Sequence, residues 1–310
     1  MRTPSTGVDR SAVVHERNPG TVPGNHLHLL AGQGEGSAVG LKRRWAGFTH
    51  VQAEPSSFSA ADAELQPGLE VLGSATNYLS WIRELCGPFL GREVLEVGAG
   101  RGDLTEGFAR GRVVTATDLS PAFLEALQAR FAGNPNVRVG TLDVEEFVPT
   151  DSYDSVVMIN VLEHIEHDIA ALEALRGALR PGGHIVIWVP AFQALYSEMD
   201  RRIGHYRRYT RASLEARLVT AGYTIAESRY VNSLGMVAWF VFCRLLGQES
   251  SQGWAVQTWD RLAIPVLRSA ERRFRPPFGL SVFCAARPAA RTSSSRSSAR
   301  VRAGTTESSC

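Results

Sequence analysis

The chain has 310 residues, 33 basic against 31 acidic side chains and 44% hydrophobic residues, which excludes a wholly disordered or fibrous chain and allows one large core or two small ones. A net charge of +2 offers no concentrated basic face for nucleic acid. The longest apolar run, Leu234 to Cys243, is far short of the roughly 18–20 residues that span a bilayer, the N-terminus lacks an apolar signal segment, and Cys86, Cys243, Cys284 and Cys310 show neither metal-ligand spacing nor a disulfide framework.

In chain order, residues 1–60 are rich in Gly, Ser and Pro without a sustained apolar period. They read as a mostly disordered extension, with a short ordered piece around Trp45 and Phe48. From 61 to 287 the pattern changes to short Val- and Ile-rich runs alternating with helical segments. Strands are expected at 93–97, 113–117, 137–141, 155–160, 184–189, 223–230 and 281–286. Helices are expected at 122–131, 169–179 and 211–222. Ser120 with Pro121 starts the first of these helices, and Thr210 caps the last, which turns Leu214, Leu218 and Val219 inward. Pro181-Gly182-Gly183 is expected to end the middle helix and lead into the fifth strand. Such alternation implies a parallel sheet covered by helices on both faces, with ligand at the carboxyl ends of the strands. The Ser- and Arg-rich residues 288–310 read as a disordered tail.

The chemistry-bearing residues gather around the strand ends. Strand one runs into Glu96-Val97-Gly98-Ala99-Gly100-Arg101-Gly102-Asp103. A dinucleotide fingerprint would need glycine at 103; Asp103 stands there instead. An acid-flanked G-x-G-x-G turn suits a ligand with a positive amino group better than a pyrophosphate. Asp118, followed by Leu119, ends strand two, where an acid can accept from both ribose hydroxyls. Asp143 and Val144 follow strand three, where a carboxylate can meet an adenine amino group.

These motifs resemble those of the class I S-adenosylmethionine (SAM)-dependent methyltransferases over roughly residues 75–230. Glu96 to Gly102 resembles the first motif, Asp118 the ribose acid, and Leu142-Asp143 the adenine edge. Asn160-Val161-Leu162-Glu163-His164-Ile165 resembles the fourth-strand segment under the sulfonium, and Leu179 to Gly183 the turn before strand five. The resemblance implies a Rossmann-like α/β three-layer sandwich: a mostly parallel seven-stranded sheet with an antiparallel last strand. It implies SAM as cofactor, S-adenosylhomocysteine as product and no metal. Glu96, Gly98, Ala99, Gly100, Gly102, Asp118, Leu119, Asp143, Val144 and Asn160 become the expected cofactor contacts.

Tyr78 precedes strand one, where similar enzymes carry a lid helix; it covers the ligand or packs the helix onto the sheet. Glu163 and His164 either cap the next helix or act in catalysis. Residues 193–210 form an expected acceptor lid with a D-x-x-x-G-H-x-R-R-Y pattern. In it His205 is the favoured proton acceptor ahead of His164, and Tyr206, Arg207 and Arg208 are acceptor contacts, unless Asp200 simply pairs with the arginines. An apolar insertion at 232–278 lines a pocket, packs the core, forms a dimer face or touches a membrane surface through 234–268. The expected enzyme is a cytoplasmic methyltransferase, monomer or homodimer, acting on a small-molecule or lipid-like acceptor at O, N or C. A SAM-fold cyclase or decarboxylase and a non-catalytic SAM-binding protein are the competing readings.

Overall fold

A computed structural model describes residues 73–149, 152–239 and 253–290. The expected N-terminal extension, Trp45 and Phe48, Cys243, Cys310, residues 240–252 of the insertion and the tail beyond 290 lie outside the described residues. Helix α1 (Thr76–Cys86) leads into β1 (Glu93–Val97), α2 (Thr105–Phe108), β2 (Val113–Asp118), α3 (Pro121–Arg130) and β3 (Val137–Thr141). Then come β4 (Tyr153–Ile159), α4 (Asp168–Gly177), β5 (Leu179–Pro190), α5 (Glu198–Arg202), α6 (Arg211–Thr220) and β6 (Tyr223–Val231). Helices α7 (Ser233–Trp239) and α8 (Gly253–Arg273) precede the last strand, β7 (Ser281–Pro288).

The seven strands form one sheet in the order β3-β2-β1-β4-β5-β7-β6. The first five run parallel, and β7 inserts antiparallel between β5 and β6. Side chains alternate across a strand, so the same strands feed two cores. Leu95, Val97, Val156, Met158, Ile185 and Ile187 pack one face with Leu172 and Leu175 of α4 and Leu214 and Leu218 of α6. Val94, Val114, Val157, Val186 and Trp188 pack the other with Trp81 of α1, Phe108 of α2, Leu127 of α3 and Ile264 of α8. Both faces being covered explains why the central strands read as unbroken apolar runs rather than alternating ones. Cys86 and Cys284 are free and buried in these cores, as small hydrophobes.

Three local expectations are corrected. Helix α4 stops at Gly177, and β5 is already paired at Leu179 with Tyr153 before Pro181 is reached. Pro181-Gly182-Gly183 therefore forms an irregularity within the strand, where pairing resumes at His184 with Ser155 and Gly182 takes φ +81°. Val219 is 58% exposed, while Leu214 and Leu218 are buried; a residue one step beyond 218 turns about 100° away from that face. Strand β4 ends at Ile159, and Asn160 takes a left-handed φ of +53°. Both expected helix starts are present: Ser120 accepts from the Phe123 amide, and Thr210 caps α6 reciprocally with Ser213.

The insertion has a role that its composition hid. Ile264 and Leu267 of α8 are buried in the second core. Asp260 of the same helix accepts from the amides of Asn77 (3.0 Å) and Tyr78 (2.8 Å), two of the donors that the first turn of α1 leaves without a helical partner. Ala75, at the cap position of α1, has no side chain for this. One turn from the other end of α8, Glu271 does the same for α7, accepting from the amides of Asn232 and Ser233 and from the Ser233 hydroxyl. Arg268 and Arg272 pair with Glu84 of α1. Asp260→Ala should cost about 1–2 kcal/mol, as losing a cap does, and lower Tm by about 2–8 °C for a domain of this size. Thermal unfolding reads it, and an unchanged Tm would show that water replaces the carboxylate. Among the described residues no helix is long and apolar enough to cross a membrane.

Candidate active site

The carboxyl ends of β1, β2 and β4 assemble the first half of the site. Gly98, Gly100 and Gly102 all adopt left-handed backbone, at φ +67°, +54° and +80°. A Cβ on Gly98 would sit 2.4 Å from Cγ2 of Val161, in the segment after β4. A Cβ on Gly102 would sit 2.5 Å from the ring of Phe131, beyond α3. These glycines answer both a dihedral and a space requirement. The turn is pinned by the Ala99 amide donating to the Thr117 carbonyl (2.8 Å).

Asp118 is built into the same turn. Its Oδ2 accepts from the Gly100 amide (2.8 Å) and its Oδ1 from the Ser120 amide (3.0 Å). A carboxylate oxygen can accept more than one hydrogen bond. Glu96 lies beneath, 3% exposed, and takes a bond from the Thr105 hydroxyl (2.7 Å). Burial pushes its carboxyl up to about 8; the Thr105 bond opposes this and the charges of Asp118 and Asp103 add to it. Asp143, half-buried, accepts from the Glu145 amide (2.9 Å) between buried Leu142 and Val144. Leu119 is half-buried beside Asp118.

The second half of the site comes from the segment after β4 meeting the segment after β5. Asp200 of α5 is 1% exposed. It accepts a two-pronged bond from Arg208 (Nε to Oδ1 2.8 Å, Nη2 to Oδ2 2.9 Å) and a contact from His205 Nδ1 at 2.8 Å. Burial alone would raise the Asp200 carboxyl, but the bonds from His205 and Arg208 outweigh it and hold it far below the ordinary range. A carboxylate accepts only, so Nδ1 of His205 donates to Asp200. Nε2 of His205 lies 3.8 Å from Oε1 of Glu163. The His164 ring stands edge-on to the His205 ring, centroids 4.5 Å apart, and is held by the main chain of Ile203 and Gly204. Burial lowers His164 to about 4, and the neighbouring His205 adds to the fall. Glu163 is fully buried, and burial pushes it up to about 8 against the pull of Arg208.

The structure thus brings His164 and His205 together, with Asn160 and Val161 leading from the glycine turn towards them. It gives other work to several expected acceptor contacts. Arg207 donates to the carbonyls of Ile165 (3.0 Å) and Glu166 (2.8 Å) and pairs with Asp168 at 2.9 Å. Arg208 is committed to Asp200, so the loop is cross-braced by its own charges. Tyr206 is 52% exposed, the most exposed of that trio. Tyr78 packs edge-on against Trp188 and Trp81. Burial pushes its hydroxyl up to about 12, against hydrogen bonds with Ser281 and Trp188; this is the packing alternative, not a lid. Sequence reading weighed Glu163 with His164 for capping or catalysis, and Asp200 only as a partner of the arginines. Their only signal was an acid beside His164 and another five residues before His205, spacings that no helix or strand period singles out. A separate surface cavity of about 260 Å³, lined by Leu90, Gly91, Asp154 and His184, opens at the amino ends of the strands, away from this chemistry.

Comparison with known proteins fits this geometry. Residues 95–185 match the family model described as a methyltransferase domain. The ubiquinone biosynthesis O-methyltransferase of Alkalilimnicola ehrlichii is 33% identical over 112 residues, 35% of this chain and 45% of that protein. The protein of the same name from Paracidovorax citrulli is 35% identical over 112 residues, 34% and 47% of the two chains. The chain therefore spans about half the length of the curated relatives it matches. A chain from the complex between the Haloferax volcanii Trm112 methyltransferase activator and a methyltransferase superposes with a TM-score of 0.53 at 16% identity, covering 74% of this chain and 97% of that one, which establishes the shared fold. Sheet order, glycine turn, strand-end acids and the match over residues 95–185 together identify a class I SAM-dependent methyltransferase domain in this chain.

Proposed function

We propose that this protein binds SAM at the Gly98–Gly102 turn and transfers its methyl group to a hydroxyl oxygen of a small-molecule or lipid-like acceptor. The observation that carries the reading is the turn itself: three left-handed glycines locked to Asp118 through the Gly100 amide. Asp118 would take the ribose hydroxyls, Asp143 the adenine edge, and Glu96 would lie beneath the amino group. Oxygen as the accepting atom is favoured by the names of the curated relatives, which are O-methyltransferases. The sulfonium already activates the methyl group, so the protein's main task is to align an oxygen on the methyl carbon at about 3–3.5 Å. A neutral hydroxyl must also lose its proton, and the buried group of Glu163, His164 and His205 is where that proton would be handled.

The reading is tested by thermal shift with SAM, S-adenosylhomocysteine and NAD, since a ligand bound only by the folded state raises Tm. SAM and S-adenosylhomocysteine should each raise Tm and NAD should not; a response to NAD alone would overturn the cofactor assignment. Radiolabelled methyl from SAM should then appear on a phenolic or alcoholic acceptor drawn from a metabolite extract. His205→Ala should lower that turnover by about 10²–10⁴-fold, the usual share of proton-transfer catalysis, while SAM affinity stays unchanged. Equal turnover would remove His205 from the chemistry.

A further inference from the structure

We propose that Glu163, His164 and His205 bind a divalent transition-metal cation through one carboxylate oxygen and two imidazole nitrogens. One donor atom from each of the three lies within 4.8 Å of the others. Glu163 and His164 arrive from the turn after β4 and His205 from the loop after α5, so the group closes only when the two segments dock. The Tyr206 amide donating to the Glu163 carbonyl (2.8 Å) makes that docking direct.

The independent observation is the state of Glu163. Its side chain is fully buried, and among the described residues neither carboxylate oxygen has a hydrogen-bond partner in another residue. A buried carboxyl group is costly to ionise, and a cation beside it lowers that cost. Arg208 acts on Glu163 by its charge and gives hydrogen bonds to Asp200. What Glu163 faces is Nε2 of His205, at 3.8 Å. Metal–ligand bonds of about 2.0–2.1 Å in a tetrahedral site set donor atoms roughly 3.4 Å apart, so a small side-chain movement completes the contact.

The surroundings have the form that metal sites require. A ligating imidazole holds its second nitrogen on a carboxylate or carbonyl, which fixes ring and tautomer. His205 does this with Asp200, which Arg208 clamps in turn, and His164 does it with the main chain of Ile203 and Gly204. Two imidazoles with one carboxylate select first-row transition ions such as Zn²⁺, Fe²⁺ or Mn²⁺ over Mg²⁺ and Ca²⁺, which prefer all-oxygen shells. Three protein donors leave at least one position open.

For the reaction, this inference rests on the methyltransferase reading above and deepens it. A hydroxyl oxygen at the open position is acidified by the cation. Its O–H bond breaks, the proton leaves to water, and the oxygen attacks the methyl carbon as the carbon–sulfur bond breaks, releasing S-adenosylhomocysteine. The substrate class is then an acceptor hydroxyl able to reach a metal, and His205 contributes as a ligand.

The test uses the full chain without a histidine tag, stripped with chelator and titrated with Co²⁺ in the absence of SAM. One equivalent should bind with visible ligand-field absorption, displaced by Zn²⁺. Glu163→Gln and His205→Gln should each weaken Co²⁺ binding by at least about tenfold and leave SAM affinity unchanged. Wild-type protein with native circular dichroism that shows no cobalt absorption overturns the proposal, whatever the variants do; so do variants that bind cobalt as wild type does. If cobalt binds and no methyl transfer is found with any acceptor, the reaction reading fails and the metal site stands.

Discussion

Gly98→Ala is expected to remove SAM binding and to lower the stability of the unliganded protein. The left-handed backbone at φ +67° costs an ordinary residue about 1–2 kcal/mol. The new methyl would overlap Cγ2 of Val161 at 2.4 Å, and forcing such an overlap costs about 1–3 kcal/mol more. Together these amount to about 2–5 kcal/mol, a fall in Tm on the order of 10 °C at about 2–4 °C per kcal/mol. Relief by pushing Val161 aside would displace the segment that carries Glu163 and His164, so the cofactor turn and the cluster are mechanically linked at this contact. Adding Val161→Ala should restore the steric share of the loss and not the backbone share, because adjacent substitutions couple. Thermal unfolding and calorimetry with SAM decide it. An alanine variant with native Tm and native SAM affinity would mean that the turn tolerates a side chain and is not a close-approach cradle.

Asp118→Ala should have the largest effect on affinity. Hydrogen bonds to a charged acceptor contribute about 1.5–3 kcal/mol each. Losing both ribose hydroxyls would cost about 3–6 kcal/mol, or roughly 10²–10⁴-fold in Kd. The same carboxylate anchors the Gly100 and Ser120 amides, so a further loss from loosening of the turn is expected. Asp118→Asn separates the two contributions. It keeps an oxygen for one amide but lacks the charge, so it should hold the turn better than alanine while still binding SAM weakly. If the alanine variant loses Tm and keeps SAM affinity, Asp118 serves only to position the loop.

Much of the fold could be read from the chain because its signals are local. The central parallel strands appear as short Val- and Ile-rich runs, since both faces are covered and little polar side is needed, whereas edge strand β3 alternates, with exposed Arg138 between Val137 and Val139. The glycine turn was visible because left-handed backbone and close approach select the same residue type at fixed spacing. Asp118 was visible because it stands at the end of a strand that such a run already marks. The partners of Arg207 and Arg208 were not legible for the opposite reason. Residue type says that a guanidinium wants an anion, but not whether the anion is a ligand or Asp168 and Asp200. Tyr78 was ambiguous on the same ground: an aromatic residue near a strand end suits a lid and a core equally, and only the position of Trp188 decides.

By itself, then, the chain of residues determined the Rossmann-like class, the strands, two helix caps and the acid-flanked turn, because each depends on neighbours within a few positions. Only tertiary structure decided that Asp260 caps a helix 183 positions away, that Glu163 is buried with no hydrogen-bond partner in another of the described residues, and that His164 and His205 lie beside it. Those facts depend on which segments dock, and docking is driven by burial of apolar surface over the whole sheet. That force is non-directional, so no short stretch of sequence records where it brings two distant side chains together.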